Sequence, residues 1–391
     1  MTTETLEQKA IKEYYGATLK GSGDLKTNAC CSVDENLSPS VKAALAEIND
    51  EVLSRFYGCG SPLPPLLDGC TVLDLGCGTG RDAYVASRLA GPSGHVIGVD
   101  MTEEQLDVAR RNLPSQMARF GYQEPNVDFR KGCIEDLRAL DIADDSVDVV
   151  ISNCVINLSP DKQAVFSEIL RVLKPGGELI FSDVFSGRRV PEHLHSDPVL
   201  HGECLAGAMY TEDFRRLLRD LGCLDYRILS SRRIALGSPE IEAVIGMVDF
   251  HSITVRVFKL ASLEDLCEDY GQVAIYKGTI PEWPHFFDLD DHHRLLTGKP
   301  MLVCGNTAAM LGESRYGPHF DIYGDRSVHY GPFDCSPAAV KATEDGGSGG
   351  ASVRSGMRDT RLACMCLEGR LHTRMVATQE SGPNYLGTEA Q

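Results

Sequence analysis

The chain has 391 residues, 42% hydrophobic and 24% charged, the balance of a soluble globular protein too long for one ordinary core. Lys and Arg number 38 against 56 Asp and Glu, a net charge of −18, and a field of that sign repels nucleic-acid phosphates and anionic lipid. The opening MTTETLEQKA lacks the basic start and apolar stretch of a signal peptide, and no window nears the roughly 18 apolar residues of a membrane span, so a cytoplasmic protein without nucleic-acid or membrane partners is expected.

Leu6, Ala10, Ile11 and Tyr14 recur at helical spacing until Lys20–Gly23 breaks the pattern. Past a polar stretch with Cys30 and Cys31, a second helix is predicted over Val41–Phe56, with Pro39 and Ser40 near its start. From Thr71 short β-branched runs alternate with helical ones. Strands are predicted over Thr71–Leu75, His95–Asp100, Val127–Lys131 and Val147–Asn153, and helices over Arg81–Leu89, Glu103–Phe120 and Asp161–Leu173. A fifth strand, Glu178–Val184, follows a Lys174-Pro175-Gly176-Gly177 turn; Thr211–Leu221 reads as a helix and Ser252–Phe258 as a late antiparallel strand. Alternation of this kind predicts an α/β fold, a mostly parallel sheet with helices on both faces.

Beyond about residue 260 the periodicity weakens, and Pro281–Cys335, rich in Gly, Pro, His and aromatics, reads as a small turn-rich module. From Lys341 the segment TEDGGSGGASVRSG offers too little apolar surface to fold, so a disordered tail is predicted. The expected partition is a helical segment over 1–69, a core over 70–205, a region completing it over 206–280, the C-terminal module over 281–340 and the tail over 341–391.

The strongest local signal is Asp74-Leu75-Gly76-Cys77-Gly78-Thr79-Gly80, directly between a strand and a helix, where glycines let the backbone turn tightly and approach a ligand. Nicotinamide enzymes place G-x-G-x-x-G here. The spacing in this chain, G-x-G-x-G with an acid two residues earlier, resembles motif I of the class I S-adenosylmethionine (AdoMet) methyltransferases. That resemblance implies a Rossmann-like fold and AdoMet as methyl donor, with Asp74, Gly76, Gly78 and Gly80 around it and no metal cofactor. Asp100 ends the second strand twenty residues after Gly80, suited to a ribose diol, and Ile134, Glu135 and Asp136 follow the third, suited to an adenine ring. A single such acid reads as readily as a helix N-cap; three in register, one per βα unit, point to a ligand.

Acceptors on oxygen or nitrogen usually need a base. After the fourth strand, where nucleic-acid amino methyltransferases often carry Asn/Asp-Pro-Pro-aromatic, this chain has Ser152-Asn153-Cys154-Val155-Ile156-Asn157-Leu158. A thiol therefore stands at the acceptor position, although a buried structural cysteine is the commoner meaning.

Four segments then resemble the arsenite methyltransferase family in order: LKTNAC to Cys30, FYGCG around Cys59, SNCVINLSPDK around Cys154 and GECLAGAMY around Cys204. The resemblance is dense over roughly residues 8–260 and continues more loosely through CGNTAAML and GPHFDIYGDRS to Cys335. It implies methyl transfer from AdoMet to thiolate-bound arsenic(III), with arsenite and methylated arsenicals as substrates. Cys30, Cys59, Cys154 and Cys204 are the implied catalytic thiols, with Cys59, Cys154 and Cys204 holding the metalloid. Cys154 and Cys204 would serve throughout the cycle, Cys30 and Cys59 with inorganic arsenite and in restoring the trivalent state. The implied cofactor positions are Tyr57, Gly76, Asp100, Met101, Thr102, Ile134, Glu135, Asn153 and Val155. A thiol reductant, glutathione or the thioredoxin system, is the implied partner, reopening a disulfide for which Cys30 and Cys59 are the candidates. The chemistry suits the residues, because arsenic(III) is soft and thiolate is a protein's soft ligand. Three thiolates leave a lone pair on arsenic that attacks the methyl group without a general base.

Fourteen cysteines without C-x-x-C spacing suggest neither a zinc ribbon nor a disulfide framework. Cys31 adjoins Cys30, and LKTNAC favours Cys30. Cys77 inside the glycine loop is read as packing, and Cys70, Cys133, Cys223 and Cys267 as core. Cys304 and Cys335 are assigned to folding of the last module, and Cys364 and Cys366 either capture metalloid or are dispensable. His285, His292 and His293, interleaved with Asp288, Asp290 and Asp291, read as a solvated turn rather than a metal site. Glu203 reads equally as tuning Cys204 or as a solvent-facing acid. Two other functions stay open on the same residues: methylation of a small organic acceptor such as a quinone or sterol precursor, and arsenic(III) binding without turnover.

Overall fold

The strands β1 (Thr71–Leu75), β2 (His95–Asp100), β3 (Val127–Lys131) and β4 (Val147–Asn153) form at the predicted bounds. In this computed structural model the described residues are 37–335, apart from 57, 196, 198, 199, 201 and 202. The expectations for the first helix, Cys30, Cys31, Tyr57, Cys364, Cys366 and the tail therefore lie outside the described residues. β1 and β4 are buried along almost their whole length, as strands covered on both faces must be, which is why they read as apolar runs rather than alternating ones.

With β5 (Leu173–Ser186), β6 (Met209–Tyr210), β7 (Tyr226–Arg233) and β8 (Phe250–Phe258), they make one sheet in the order β3-β2-β1-β4-β5-β8-β7, with β6 beside β5. Pairing is parallel from β3 through β5; β8 runs antiparallel to β5, and β7 antiparallel to β8. The strand order reverses between β1 and β4, and the crevice at their carboxyl ends is where such sheets bind ligands. The predicted helices form as Arg81–Ala90, Glu103–Phe120, Lys162–Val172 and Thr211–Asp220. Two large apolar clusters occupy the sheet's two faces. One holds Leu73, Leu75, Phe166 and Phe181; the other holds Val72, Tyr84, Val85 and Phe129.

Three expectations need correction. The helix predicted over Val41–Phe56 is two helices, Pro39–Ala46 and Asp50–Leu53. Gln116, on the long helix Glu103–Phe120, supplies the break's hydrogen bonds: its Oε1 accepts from Asn49 N at 3.0 Å and its Nε2 donates to Glu47 O at 2.8 Å. A distant side chain satisfying the backbone removes the reason for the helix to continue. The Lys174–Gly177 turn lies within β5, whose register against β4 shifts between Val147 and Val149. The expected boundary at residue 280 falls inside the C-terminal module. After β9 (Glu268–Asp269), strand β10 (Gln272–Tyr276) is the centre of that module's sheet; β11 (Phe286–Asp288) pairs with β12 (Arg294–Leu296), β13 (Pro300–Val303) and β14 (Phe320–Tyr323) flank β10, and β15 (Gly331–Pro332) pairs with β9.

A buried ionic cluster joins this module to the main sheet. Glu178 on β5 meets Arg256 on β8 at 3.1 Å, pairs with Arg315, and accepts from the Tyr316 hydroxyl at 2.9 Å. Arg256 also donates to Leu289 O at 2.7 Å, and Arg315 to Pro65 O at 2.8 Å. Glu178, Arg256 and Tyr316 are at most 2% exposed. Among the described residues no helix is long and apolar enough to cross a membrane.

Removing one partner from such a cluster strands buried charge, at a cost of about 3–5 kcal/mol. Glu178→Ala is expected to lower stability by that order in urea denaturation, with the C-terminal module released first. An unchanged midpoint would show that the cluster does not hold the two parts together.

Candidate active site

The glycine loop leaves β1 at the crevice and turns through left-handed backbone at Gly76 (φ 69°) and Gly78 (φ 53°). A side chain at Gly76 would collide with Val155, whereas one at Gly78 would meet open space, so the loop's outer side faces a cavity. Gly80 departs from expectation. It caps the following helix, and a side chain there would strike the rings of Phe129 and Tyr84, so its smallness serves packing rather than cofactor contact. The other implied cofactor positions among the described residues, Asp74, Gly76, Gly78, Asp100, Met101, Thr102, Ile134, Glu135, Asn153 and Val155, all line the cavity.

Their geometry is specific. Asp100 braces the loop, its Oδ2 accepting from Gly78 N at 2.9 Å and its Oδ1 from Thr102 N at 2.8 Å. Glu135 accepts from the Ser159 hydroxyl at 2.6 Å. Asp74 is buried, and its Oδ2 has no hydrogen-bond partner. Burial, together with the neighbouring carboxylates Asp82 and Asp100, pushes the Asp74 carboxyl well above its ordinary range; burial also raises that of Asp100. Three acids around one cavity lower their mutual repulsion when a cation arrives. AdoMet, with a sulfonium and an ammonium group, fits that demand.

Several lining residues carried no signal in the sequence reading. Phe56 lies under the Arg81 guanidinium at 3.5 Å, and Asp82 accepts from Asn153 Nδ2 at 2.9 Å. Cys133, expected in the core, is half-buried and lines the cavity. Cys77, expected to serve packing alone, is buried against Gly98 but also lines the cavity.

At the end of β4 the thiols converge. Cys154 lines the cavity, and its amide donates to Ser182 O at 2.8 Å. Cys59 is delivered by Asn153, whose Oδ1 accepts from Cys59 N at 2.9 Å and whose Nδ2 donates to Gly60 O at 2.8 Å. Ser252 on β8 donates to Cys59 O at 2.8 Å. Cys59 and Cys154 are joined as a disulfide. The pair inferred from resemblance was Cys30 with Cys59; Cys30 lies outside the described residues, and here Cys59 bonds Cys154. The Cys204 thiol donates to Cys154 O at 3.5 Å. Both Cys154 (φ 57°) and Cys204 (φ 61°) hold left-handed backbone, a conformation shared among the described non-glycine residues only by Leu66, Asp141 and Asp145. The three thiols share a small apolar cluster with Val184, Leu194, Leu200 and Phe250.

Asp183 is the residue that sequence reading missed. It lies inside the buried strand β5, with a carboxylate oxygen within 4.8 Å of the Cys59 and Cys154 sulfurs. Burial raises its carboxyl to about 7, although the Val184 and Asn157 amides donate to it at 2.8 and 3.0 Å. One acid in the apolar run Ile180-Phe181-Ser182-Asp183-Val184-Phe185 was the available signal. Glu203 is fully buried beside Cys204, which overturns the solvent-facing alternative. The expected solvated turn is also wrong in part. Asp290 and His293 are buried and hydrogen-bonded at 2.8 Å, whereas His285 and Asp291 are exposed.

Sequence profiles extend this picture. That of the methyltransferase domain matches residues 66–222, and that of the arsenite methyltransferase C-terminal domain matches residues 270–345. The chain is 51% identical over 327 residues to the arsenite methyltransferase of Aquipseudomonas alcaligenes, spanning 83% of this chain and 93% of that one. It is 43% identical over 314 residues to that of Mus musculus, spanning 80% and 82%. The crystal structure of an arsenic(III) S-adenosylmethionine methyltransferase from Chlamydomonas reinhardtii superposes with a TM-score of 0.74 at 55% identity, covering 76% of this chain and all of that one. Likeness of this extent, running through the catalytic core and the C-terminal module together, shows that the chain belongs to the arsenite methyltransferase family.

Proposed function

We propose that this protein methylates arsenic(III): arsenite first, on a cage formed by Cys59, Cys154 and Cys204, and then methylarsenite, which has two oxygen ligands to exchange, on Cys154 and Cys204. The observation that carries the reading is that Cys154, which lines the cavity around the glycine loop, shares a buried cluster with Cys59 and Cys204 from distant parts of the chain. Methylation of an organic acceptor would leave that convergence without a use.

Bound AdoMet supplies an electrophilic methyl group on a positively charged sulfur. Gly78 gives the donor room, Gly76 lets the loop pass close to Val155, Asp74, Asp82 and Asp100 complement the donor's charge, and Ile134 and Glu135 flank its base. The cage does the rest. Each arsenic–oxygen bond of arsenite is exchanged for an arsenic–sulfur bond, and each thiol proton leaves with a hydroxide as water. Asp183, poised near neutrality beside Cys59 and Cys154, holds a thiol proton during that exchange. Once three sulfurs hold the arsenic, its lone pair is the nucleophile, and positioning with exclusion of water is what remains for the protein.

Methyl transfer leaves the arsenic pentavalent. Two thiols that become a disulfide return two electrons to it, and the Cys59–Cys154 bond is the oxidised form of such a pair. Cys30 remains the fourth thiol of the cycle by resemblance. Glutathione or the thioredoxin system reopens the bond by thiol–disulfide exchange, which suits a reducing, cytoplasmic setting. With turnover the protein converts arsenite to methylated products and so serves arsenic biotransformation and detoxification.

Incubation of the purified chain with arsenite, AdoMet and glutathione, followed by chromatographic separation of arsenic species, is expected to yield methylarsenicals. Cys154→Ser or Cys204→Ser should abolish all products, and Cys59→Ser should block arsenite while sparing methylarsenite. Retained arsenite methylation in Cys154→Ser would refute the cage.

Donor binding should depend on pH with a defined sign. Because the Asp74 and Asp100 carboxyls are raised, their protonated share grows as pH falls, and a cationic ligand prefers the ionised form. AdoMet affinity measured by calorimetry should weaken toward acid pH, by up to roughly tenfold per pH unit for each proton displaced. A flat or inverted profile would contradict the acid-lined donor site.

A further inference from the structure

Three further cysteines meet far from the donor cavity. Cys267 precedes strand β9 (Glu268–Asp269), Cys304 caps the helix Gly305–Gly312, and Cys335 follows strand β15 (Gly331–Pro332). Pairing of β15 with β9, continued by Phe333 N donating to Cys267 O at 2.7 Å, brings the first and last together. All three side chains are buried, and their sulfurs lie within 4.8 Å of one another. The cysteines were expected to serve only as core or folding residues, yet three sulfurs facing one point form a ligand set.

The surroundings favour thiolate. Arg227 on β7 lies with Nη2 4.0 Å from the Cys304 sulfur, and it is itself anchored by Asp225 at 2.8 Å and Asp290 at 3.5 Å. Thr307 N donates to the Cys304 sulfur at 3.4 Å.

We propose that Cys267, Cys304 and Cys335 form a second arsenic(III) site, which binds inorganic arsenite as a three-sulfur complex and does not methylate it. The assignment rests on the reading that this chain handles arsenic(III). Three soft donors match the three-coordinate pyramid of arsenic(III), whereas a structural zinc site takes four ligands. Binding breaks three arsenic–oxygen bonds, forms three arsenic–sulfur bonds and releases three waters, with no change of oxidation state. Arg227 belongs to the edge strand at one end of the sheet, several strands from the β1–β4 crevice, so arsenic held here has no methyl donor. Its effect is to clamp the segment after β15 onto the helix Gly305–Gly312.

The test uses the reduced full-length chain with arsenite and no AdoMet, and counts bound arsenic by mass spectrometry after gel filtration. Cys304→Ser, which keeps an N-cap oxygen for Thr307 N, is expected to bind one arsenic fewer than wild type and to keep methylating arsenite when AdoMet and glutathione are added. Cys154→Ser/Cys204→Ser is expected to lose methylation and retain the second arsenic, with three sulfur neighbours by X-ray absorption. That spectrum needs no substitution in the triad, so the inference is tested even if Cys304→Ser fails to fold. Unchanged stoichiometry in folded Cys304→Ser, fewer than three sulfur neighbours, or stoichiometric zinc that arsenite fails to displace would overturn it. A wild-type chain that binds the second arsenic without methylating any would sink the enzymatic reading and leave this one standing.

Discussion

The side-chain amide of Asn153 is the tie on which the site depends. It stands at the last position of β4, at the point where the strand order reverses, and spends both ends of its carboxamide on the surrounding loops. Its oxygen receives the amide of Cys59 and its nitrogen reaches Gly60 and Asp82. The loop that carries one thiol, the helix that begins after the glycine turn, and the residue adjoining Cys154 are thereby held to a common frame. A polar side chain buried this deeply is stable only when its bonds are made, since each orphaned partner costs about 1–3 kcal/mol. The network is therefore close to all-or-none, as a site requiring fixed sulfur positions needs to be.

The strand pair β5–β8 carries that frame into the rest of the molecule. Ser182 and Ser252 support the thiols at one end, and Glu178 and Arg256 engage the C-terminal module at the other. Because the two strands are paired residue by residue between these points, the module and the thiol cluster share a scaffold. The module thus acts as a brace on the strands behind the sulfur atoms.

Much of this was legible in the sequence where the signal is local. The five parallel strands show as apolar runs bounded by turns, and the glycine loop shows because backbone without side chains is needed at a fixed spacing. The thiol segments were legible as family resemblance rather than as physics. What stayed hidden depends on contacts between distant residues. Nothing near Asn49 announces that Gln116 will complete its hydrogen bonds and end a helix, and nothing near Asp183 marks it as a neighbour of sulfur rather than a stray acid in a strand. β7 was overlooked because its second half, Ser230-Ser231-Arg232-Arg233, is polar and largely exposed. The union of Cys267, Cys304 and Cys335 was invisible for the same reason: a pairing of two short strands distant in the chain, and a helix cap, bring them together.

The left-handed backbone at Cys154 and Cys204 has a thermodynamic consequence. A residue with a β-carbon held in that conformation costs of the order of 1–3 kcal/mol, which glycine would relieve. Against a typical folding margin of about 5–15 kcal/mol, two such positions are a substantial tax on stability. Selection for robustness alone would therefore drift toward residues without sulfur at both places. The molecule would be sturdier without the atoms that give it a task, and any thermostabilised descendant obtained by random substitution should be checked for those two positions first.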